Sequence, residues 1–230
     1  MVKGTGLVGR VFKQYETADE FLIFASGVSD SKSCTPSDLQ REHDLLLESI
    51  TNNPSKKTVY FSTSSVEDPD LKETPYIRHK LKMEALVRAH APAFHIFRLS
   101  QLAGANGNPA TILNYLYAKI VGGHAFELWK YSERNIIDAE DVYRIADHIL
   151  KNELFTNQVI NIANDKNYPV PYLVACIEAH TGKKAIFSEK ERGQPFRIDI
   201  SETLPICRQL KIGFGENYLP QLLEKYYPKK

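Results

Sequence analysis

The chain has 230 residues, 43% of them hydrophobic, and its 29 basic residues are nearly balanced by 28 acidic ones. A chain of this length and composition can bury one substantial core with a smaller lobe attached. The balanced charge excludes nucleic acid as an expected partner, and apolar runs far shorter than the roughly 20 residues of a membrane span exclude a membrane. Because no signal peptide stands at the start, a cytoplasmic location is expected.

The cysteines and histidines indicate neither a disulfide framework nor a metal site. Cys34, Cys176 and Cys207 lie far apart without a C-x-x-C motif, which is typical of a protein in a reducing compartment. The histidines form no H-E-x-x-H motif and no close cluster with carboxylates. No metal is therefore expected.

Short apolar runs alternate with segments of helical spacing along the chain. In chain order the pattern predicts a helix at 7–15, a strand at 20–26, a helix at 36–50, a strand at 58–64, a helix at 75–90, a strand at 94–100, a helix at 109–121, a strand at 125–129, a helix at 139–151, a strand at 158–163, and helices at 170–181 and 219–226. This alternation predicts an α/β fold, a doubly wound parallel sheet with helices on both faces.

Two turn-rich segments divide the chain into a main domain and a smaller C-terminal lobe. They are GANGNP at 104–109 and NDKNYP at 164–169, and clusters of Gly, Asn and Pro mark loops. The main domain is predicted to comprise 1–104 and 134–164, and the lobe 105–133 and 165–230. In a doubly wound sheet, ligands bind at the carboxyl ends of the strands, which places candidate site residues after the strands of the main domain.

The segment GTGLVG, from Gly4 to Gly9, has the spacing of the glycine turn that cradles the pyrophosphate of a dinucleotide. Such a turn normally follows a buried strand, whereas only Met1-Val2-Lys3 precede this one. An acidic residue about 20 positions further on usually binds the ribose, and that spacing nominates Asp30.

Tyr76 and Lys80 form a Tyr-x-x-x-Lys pair at the start of a predicted helix. This spacing places both side chains on one helix face, where the ammonium lowers the tyrosine pKa from about 10, as a general acid/base requires. The alternative is a solvated helix face. The same spacing recurs at Tyr115/Lys119 and Tyr226/Lys230. Only Tyr76 begins a helix directly after a hydroxyl-rich strand end, STSS at 62–65, so the catalytic interpretation is favoured for it.

Five motifs occur in order, namely GTGLVG, VYFSTSS, YIRHKLKMEAL, FRLSQLAG and RNIIDAEDV. Together they resemble the extended short-chain dehydrogenase/reductases, a group of nucleotide-sugar epimerases, dehydratases and keto-reductases. The resemblance runs from Gly4 to about Asn164, with a weaker similarity in RGQPFRIDIS at 192–201. It implies that the main domain is a Rossmann-like dinucleotide-binding domain, shortened at its start, and that the smaller lobe binds the substrate.

The resemblance also implies roles for individual residues. Tyr76 would be the general acid/base at a sugar hydroxyl or ketone, and Lys80 would lower its pKa and hold the nicotinamide ribose. Thr63 would hydrogen-bond the same sugar oxygen, and Arg134 would hold the diphosphate of a nucleotide sugar unless it is an ordinary surface arginine. Further contacts with NADP or NAD are implied for Gly4, Thr5, Gly6, Leu7, Val8, Gly9, Ala25, Ser26 and Gly27, and further substrate contacts for Ser64, Ser65 and Asn114.

The chain departs from the family pattern in two places. A strand, a helix and a further strand are missing between the glycine turn and the FASG strand at 24–27, so the carboxylate that binds the adenine ribose has no counterpart. With Lys32 just beyond that strand, weak discrimination leaning toward NADP is expected. Family dehydratases carry Asp-Glu after the threonine, whereas this chain has Ser64-Ser65, which disfavours dehydration.

The sequence therefore predicts NAD(P)-dependent reduction or epimerisation of a nucleotide-linked sugar, with Tyr76 as general acid/base. The alternative is a non-catalytic Rossmann-like protein that binds a nucleotide or nucleotide sugar and has a degraded cofactor site. A serine hydrolase is excluded by the lack of a G-x-S-x-G motif. The resemblance implies a homodimer built from the helices at 38–50 and 75–90, and the leucines of the first helix support it.

Overall fold

The computed structural model describes residues 1–29 and 34–229. Its strands are β1 (Val2–Lys3), β2 (Phe21–Phe24), β3 (Lys57–Thr63), β4 (Phe94–Leu99), β5 (Gln101–Ala103), β6 (Phe126–Trp129), β7 (Glu133–Arg134), β8 (Ile136–Asp138), β9 (Gln158–Ile162), β10 (Tyr168–Pro169) and β11 (Phe187–Lys190). Its helices are α1 (Leu7–Val11), α2 (Pro36–Thr51), α3 (Pro75–His90), α4 (Ile112–Val121), α5 (Ala139–Lys151), α6 (Val170–Thr181), α7 (Leu204–Gln209) and α8 (Tyr218–Tyr226). Asp30 and Lys32, to which the sequence assigned cofactor contacts, lie outside the described residues.

Five of these strands form a parallel sheet in the order β1-β2-β3-β4-β9. The register aligns Ile23 with Val59, Thr63 with Leu99, and Leu99 with Ile162. Parallel strands place their carboxyl ends at one edge of the sheet, so the residues that follow β2, β3 and β4 meet there. The α/β fold with a doubly wound parallel sheet is confirmed.

β1 is a two-residue strand that pairs with β2 and is one edge strand of the sheet within the described residues. The glycine turn therefore begins at an edge of the sheet, and the strand that follows it in sequence lies directly beside it. Dinucleotide-binding sheets usually have strands on both sides of the first one. The shortened frame expected from the sequence is present in the fold.

Helices cover both faces of the sheet. α2 and α3 lie on one face, where Leu46, Tyr60, Met83 and Val87 form part of a buried cluster. Burying each such large apolar side chain stabilises the fold by about 1.5–3 kcal/mol. On the other face, α1 packs against α5, and one apolar cluster continues from this face into the C-terminal elements. Residues of both predicted domains contribute to this cluster, and the division into two domains stays a prediction.

The structure differs from the predicted elements near the start of the chain. The predicted helix at 7–15 ends as an α-helix at Val11, and a single 3₁₀ turn follows at Lys13–Tyr15. At the junction of the α-helix and the 3₁₀ turn, the Phe12 side chain packs in the core. The centroid of its ring lies 4.9 Å from that of Phe61. Core packing outweighs the helical periodicity here.

The strand predicted at 125–129 exists as β6, but it is outside the main sheet. It pairs in parallel with β11 in a separate two-stranded sheet. The strands β1, β5, β7, β8, β10 and β11 and the helix α7 were not predicted, because each has only two to six residues and shows no clear periodicity. Within the described residues, no helix is long and apolar enough to cross a membrane.

Candidate functional site

A cleft of about 520 Å³ opens at the carboxyl edge of the sheet. Its walls come from the glycine turn, the ends of β2, β3 and β4, the start of α3 and the loop at 106–111. The residues predicted from sequence that line it are Gly6, Leu7, Val8, Ala25, Gly27, Thr63, Ser65, Tyr76 and Lys80. The fold thus brings these predicted residues into one cavity, whereas Gly4, Thr5, Gly9 and Ser26 are not among the described residues that line it.

The glycines of the turn have different roles in the structure. Gly4 has a φ of +131°, and a Cβ there would overlap the carbonyl group of Ala25 on the neighbouring strand. A Cβ on Gly9 would overlap the Gly4 carbonyl. By contrast, a Cβ on Gly6 would meet none of the described atoms within 4 Å. Gly4 and Gly9 therefore allow the backbone to close on itself, whereas Gly6 leaves open space facing the cleft.

Two polar side chains connect opposite sides of the cleft mouth. Arg10 donates hydrogen bonds to the carbonyl oxygens of Thr5 (3.2 Å), Ala105 (2.9 Å) and Asn106 (3.0 Å). The Asn108 amide donates to the carbonyl and hydroxyl oxygens of Ser29, both at 3.3 Å. These contacts hold the loop after β5 against the glycine turn and the end of β2. Sequence reasoning did not find them.

Tyr76 and Lys80 lie on the first turns of α3. This helix begins at Pro75, and the Thr74 side chain caps it by accepting from the Ile77 amide. Both side chains are buried, and the Lys80 ammonium lies 5.9 Å from the centroid of the Tyr76 ring. The placement of both residues on one helix face, expected from their spacing, is present.

The Lys80 ammonium is hydrogen-bonded to two groups of other elements, one on α2 and one on β3. It donates to Glu42 Oε1 at 3.0 Å and to the Tyr60 hydroxyl at 3.2 Å. Burial lowers the pKa of Lys80, and the charge of Glu42 opposes that effect. Burial also raises the pKa of Tyr60 well above 10, so this phenol stays protonated. The lysine is therefore one half of a buried ion pair and not an isolated cation.

Glu42 was missed by the sequence reasoning. Its side chain is fully buried, and it also accepts from the Val28 amide at 2.6 Å, the Tyr60 hydroxyl at 2.7 Å and His79 Nε2 at 3.1 Å. Burial alone would raise the pKa of Glu42, but these hydrogen bonds and the charge of Lys80 outweigh it and lower that pKa to about 2. A signal was available, because Glu42 stands one helical turn before Leu46 on the buried face of α2.

The hydroxyl groups after β3 are held in different ways. Thr63 is nearly buried, and its Oγ1 accepts from the Ser65 amide at 3.1 Å. That bond leaves the Thr63 hydroxyl proton for a partner in the cleft. Ser64 Oγ donates to the Leu99 carbonyl at 3.2 Å, so it ties β3 to the end of β4.

Asn114 and Arg134, the other predicted substrate contacts, are engaged elsewhere. The Asn114 side chain donates to the Asn108 carbonyl at 2.8 Å and accepts from the Tyr227 hydroxyl at 2.6 Å. Arg134 donates to the Glu133 carbonyl at 2.6 Å and lies 3.9 Å from Asp68. Neither is among the described residues that line the cleft, and their substrate contacts stay predictions.

Ser26, another predicted cofactor contact, is bonded to a residue of α2, and two aspartates at the start of α5 are engaged within the fold. The Ser26 carbonyl and hydroxyl oxygens accept from the exposed Arg41 at 3.3 and 3.4 Å. Asp138 caps α5 by accepting from the Glu140 amide at 2.8 Å. Asp141 accepts from the Tyr218 hydroxyl at 2.8 Å, and burial raises its pKa.

Comparison with known proteins gives a family match and several similar folds. A family model described as "Epimerase: NAD dependent epimerase/dehydratase family" matches residues 8–163. No curated protein sequence gives a match.

Among solved structures, the fold is similar to a UDP-glucuronic acid 4-epimerase from Bacillus cereus in complex with UDP-glucuronic acid and NAD. The TM-score is 0.73 at 20% identity, over 97% of this chain and 77% of that one. It is also similar to MoeE5 in complex with UDP-glucuronic acid and NAD (TM-score 0.71, 15% identity, 89% and 90% of the two chains). A dTDP-glucose 4,6-dehydratase from Bacillus anthracis in complex with NAD gives a TM-score of 0.69 at 16% identity, over 98% and 81% of the two chains.

Proposed function

We propose, from the premise that this chain belongs to the NAD dependent epimerase/dehydratase family, that it reduces or epimerises a nucleotide-linked sugar with NAD or NADP. One observation carries the proposal. The cleft that the glycine turn shares with the ends of β2, β3 and β4 is lined by Thr63, Tyr76 and Lys80. A hydroxyl, a phenol and an ammonium group therefore belong to residues of one cleft, in which a sugar oxygen and a nicotinamide ribose would be bound.

The cleft fits the nicotinamide and diphosphate part of the cofactor. Gly6 leaves room for a close approach to the backbone, and amides at the start of a helix favour a negative diphosphate. An ammonium has three protons, and two of those on Lys80 are used by Glu42 and Tyr60, so one remains for a ribose hydroxyl. When bound, the cofactor supplies a nicotinamide carbon that accepts or donates a hydride.

Tyr76 handles the proton in this proposal. Reduction of a sugar ketone requires a proton at its oxygen, which the Tyr76 phenol donates. Oxidation of a sugar hydroxyl requires the reverse transfer, and the nearby Lys80 ammonium stabilises the phenolate that donation leaves behind. Thr63 donates its hydroxyl proton to the same sugar oxygen and fixes its position. Because Ser64 and Ser65 replace the acidic pair of the family dehydratases, loss of water is not part of the proposal.

The second candidate function is non-catalytic binding of a nucleotide or nucleotide sugar. The position of β1 at the edge of the sheet favours it, because fewer elements surround the adenosine end of a dinucleotide. The two functions differ in whether a sugar nucleotide is turned over. An enzyme binds NADH or NADPH and turns over a sugar nucleotide, whereas the binding protein retains the nucleotide and gives no turnover.

The experiment compares Tyr76→Phe with Tyr115→Phe. Both changes remove one phenolic oxygen from a Tyr-x-x-x-Lys pair, and Lys119 lies 5.8 Å from the Tyr115 ring much as Lys80 lies near that of Tyr76. We expect Tyr76→Phe to bind NADH normally and to lose turnover of UDP-glucose or UDP-glucuronic acid by about 10²–10⁴-fold. Tyr115→Phe keeps full turnover. Equal rates for Tyr76→Phe and the wild type would refute the assignment.

We further propose a role for each of the two predicted domains and a dimeric state. The segments 1–104 and 134–164 bind the cofactor, and 105–133 and 165–230 bind the sugar nucleotide. Two copies of the chain pair through α2 and α3, in a cytoplasmic protein. Leu81 on α3 supports the pairing, because 42% of this apolar side chain is exposed in the single chain.

A further inference from the structure

The buried ion pair beneath the cleft involves one more residue than a tyrosine–lysine acid/base pair needs. Glu42 approaches Lys80 from α2, a different element from the helix that carries Tyr76 and Lys80. The residue is fully buried and accepts from four donors, which come from the loop after β2, from β3 and from α3. Buried carboxylates are rare unless paired, and this one is satisfied on both oxygens.

The wall of the cleft lies directly against this pair. A Cβ on Gly27 would come within 2.7 Å of Lys80 Nζ and 3.0 Å of Glu42 Oε1. Glycine at this position therefore lets the backbone after β2 close over the two charged groups. Gly27 and Lys80 both line the cleft, whereas Glu42 is not among the described residues that line it, so the carboxylate contacts the ammonium from the side away from the cofactor space.

The charged and titratable groups around Lys80 come from three elements. Glu42 faces it from α2, Tyr60 from β3, and Tyr76 and Glu84 from α3, while His79 bonds Glu42 on its other oxygen. Among these, Glu42 is the carboxylate bonded to the ammonium. Glu84 instead accepts from Ser62 at 2.7 Å and from Arg98 at 2.8 and 2.9 Å.

We infer that Glu42 is a positioning residue of the Tyr76–Lys80 pair. Glu42 keeps Lys80 protonated and fixes its ammonium against the Gly27 backbone. The inference rests on the proposed function for its role in catalysis. An ammonium enclosed by protein loses its proton readily unless a counter-ion is close. Glu42 supplies that counter-ion and thereby keeps the charge beside the Tyr76 phenol over the working pH range.

The experiment measures the protonation of Lys80 directly. Protein labelled with ¹⁵N-lysine gives an Nζ resonance that distinguishes ammonium from amine, and Lys80→Met assigns it. We expect Glu42→Gln to lower the pH midpoint of the Lys80 resonance by about 1–3 pH units, the effect of an opposite charge at this distance. The alkaline limb of the kcat–pH profile moves to lower pH by a similar amount.

Glu84→Gln is the matched control. It also neutralises a buried carboxylate of an ion pair, but none of its hydrogen bonds is to Lys80. We expect the Lys80 midpoint to move by less than about half a pH unit in this variant. An unmoved midpoint in Glu42→Gln, or an equal shift in both variants, would overturn the inference.

Two further measurements keep the result unambiguous. NADH binding by the wild-type protein tests the proposed function separately, since a protein that binds no NADH fails there even where the Lys80 midpoint shifts as expected. If Glu42→Gln does not fold, the Lys80 signal of the wild-type protein tests the inference. Its Lys80 ammonium protons are then expected to exchange slowly enough to be seen at pH 7, and a spectrum without a signal that Lys80→Met removes overturns the inference.

Discussion

Replacing Gly6 with alanine tests whether the glycine turn holds a diphosphate. The residue has a φ of −67° and a ψ of −172°, which alanine adopts without strain. A methyl group there meets none of the described atoms within 4 Å. The substitution restricts the unfolded chain more than the folded one, so we expect the free energy of unfolding to rise by about 0.4–1 kcal/mol.

The same methyl group would occupy the space through which a diphosphate approaches the backbone. A hydrogen bond from an amide to a charged oxygen contributes about 1.5–3 kcal/mol, so losing one lowers NADH affinity by roughly 10–100-fold. Gly6→Ala is therefore expected to be more stable than the wild type and a weaker binder. A change that only damaged the fold could not give this combination.

Gly4→Ala is the comparison within the same turn. Its φ of +131° lies in a region that L-residues avoid, and its Cβ would overlap the Ala25 carbonyl. We expect a loss of about 1–3 kcal/mol from the backbone conformation alone, with a further loss from the displaced pairing of β1 and β2. Urea unfolding gives both stabilities, and nicotinamide fluorescence gives both affinities. NADH binding by Gly6→Ala that equals the wild type would refute the role of the turn.

Three other predictions follow from the structure. The pKa of Glu42 is lowered from 4.5 to about 2, so its charge adds about 3 kcal/mol to the free energy of unfolding above pH 4.5, and about 2 kcal/mol of this is lost between pH 6 and pH 3. Urea unfolding of Glu42→Gln over the same pH range should lack this loss, and a pH dependence like that of the wild type would contradict it. The affinities for NADH and NADPH should lie within about tenfold of each other. Arg41→Gln should weaken the binding of NADPH alone, because Arg41 lies beside Ser26 at the end of β2. Equal weakening of both affinities would count against this site for the 2′-phosphate. Light scattering at micromolar concentration should give a dimer for the wild type and a monomer for Leu81→Glu, and a monomeric wild type would end the pairing hypothesis.

The sheet and its helices could be predicted because their signals are local. β3 is a run of β-branched and aromatic residues, and α3 begins at a proline behind a capping threonine. Tyr76 and Lys80 share a helix face because they are four residues apart, and that relation needs no tertiary structure. The same local logic was incomplete at α1, where Phe12 turns into the core and ends the regular helix.

The partners of Lys80 could not be predicted in the same way. Glu42 is 38 residues away from it in the chain and Tyr60 is 20 residues away, so the packing of α2, β3 and α3 alone brings them together. A glutamate within an apolar helix face indicates a buried charge, but its spacing does not indicate which cation pairs with it. Likewise, the engagement of Asn114 by Tyr227 joins residues 113 positions apart.

The Glu42–Lys80 pair also determines how the cleft responds to ionic strength. The two opposite charges cancel at a distance, so Lys80 adds little attraction for an anionic ligand that is still in solution. Long-range attraction must come from exposed groups such as Arg10 and Arg41, whose fields are screened beyond about 10 Å at 0.1 M salt. The chemistry next to Lys80 is shielded from those ions because its side chain is only 3% exposed. We therefore expect salt to weaken the capture of a nucleotide and to leave the proposed proton transfer at Tyr76 unchanged, so that encounter and reaction would depend on separate sets of charges.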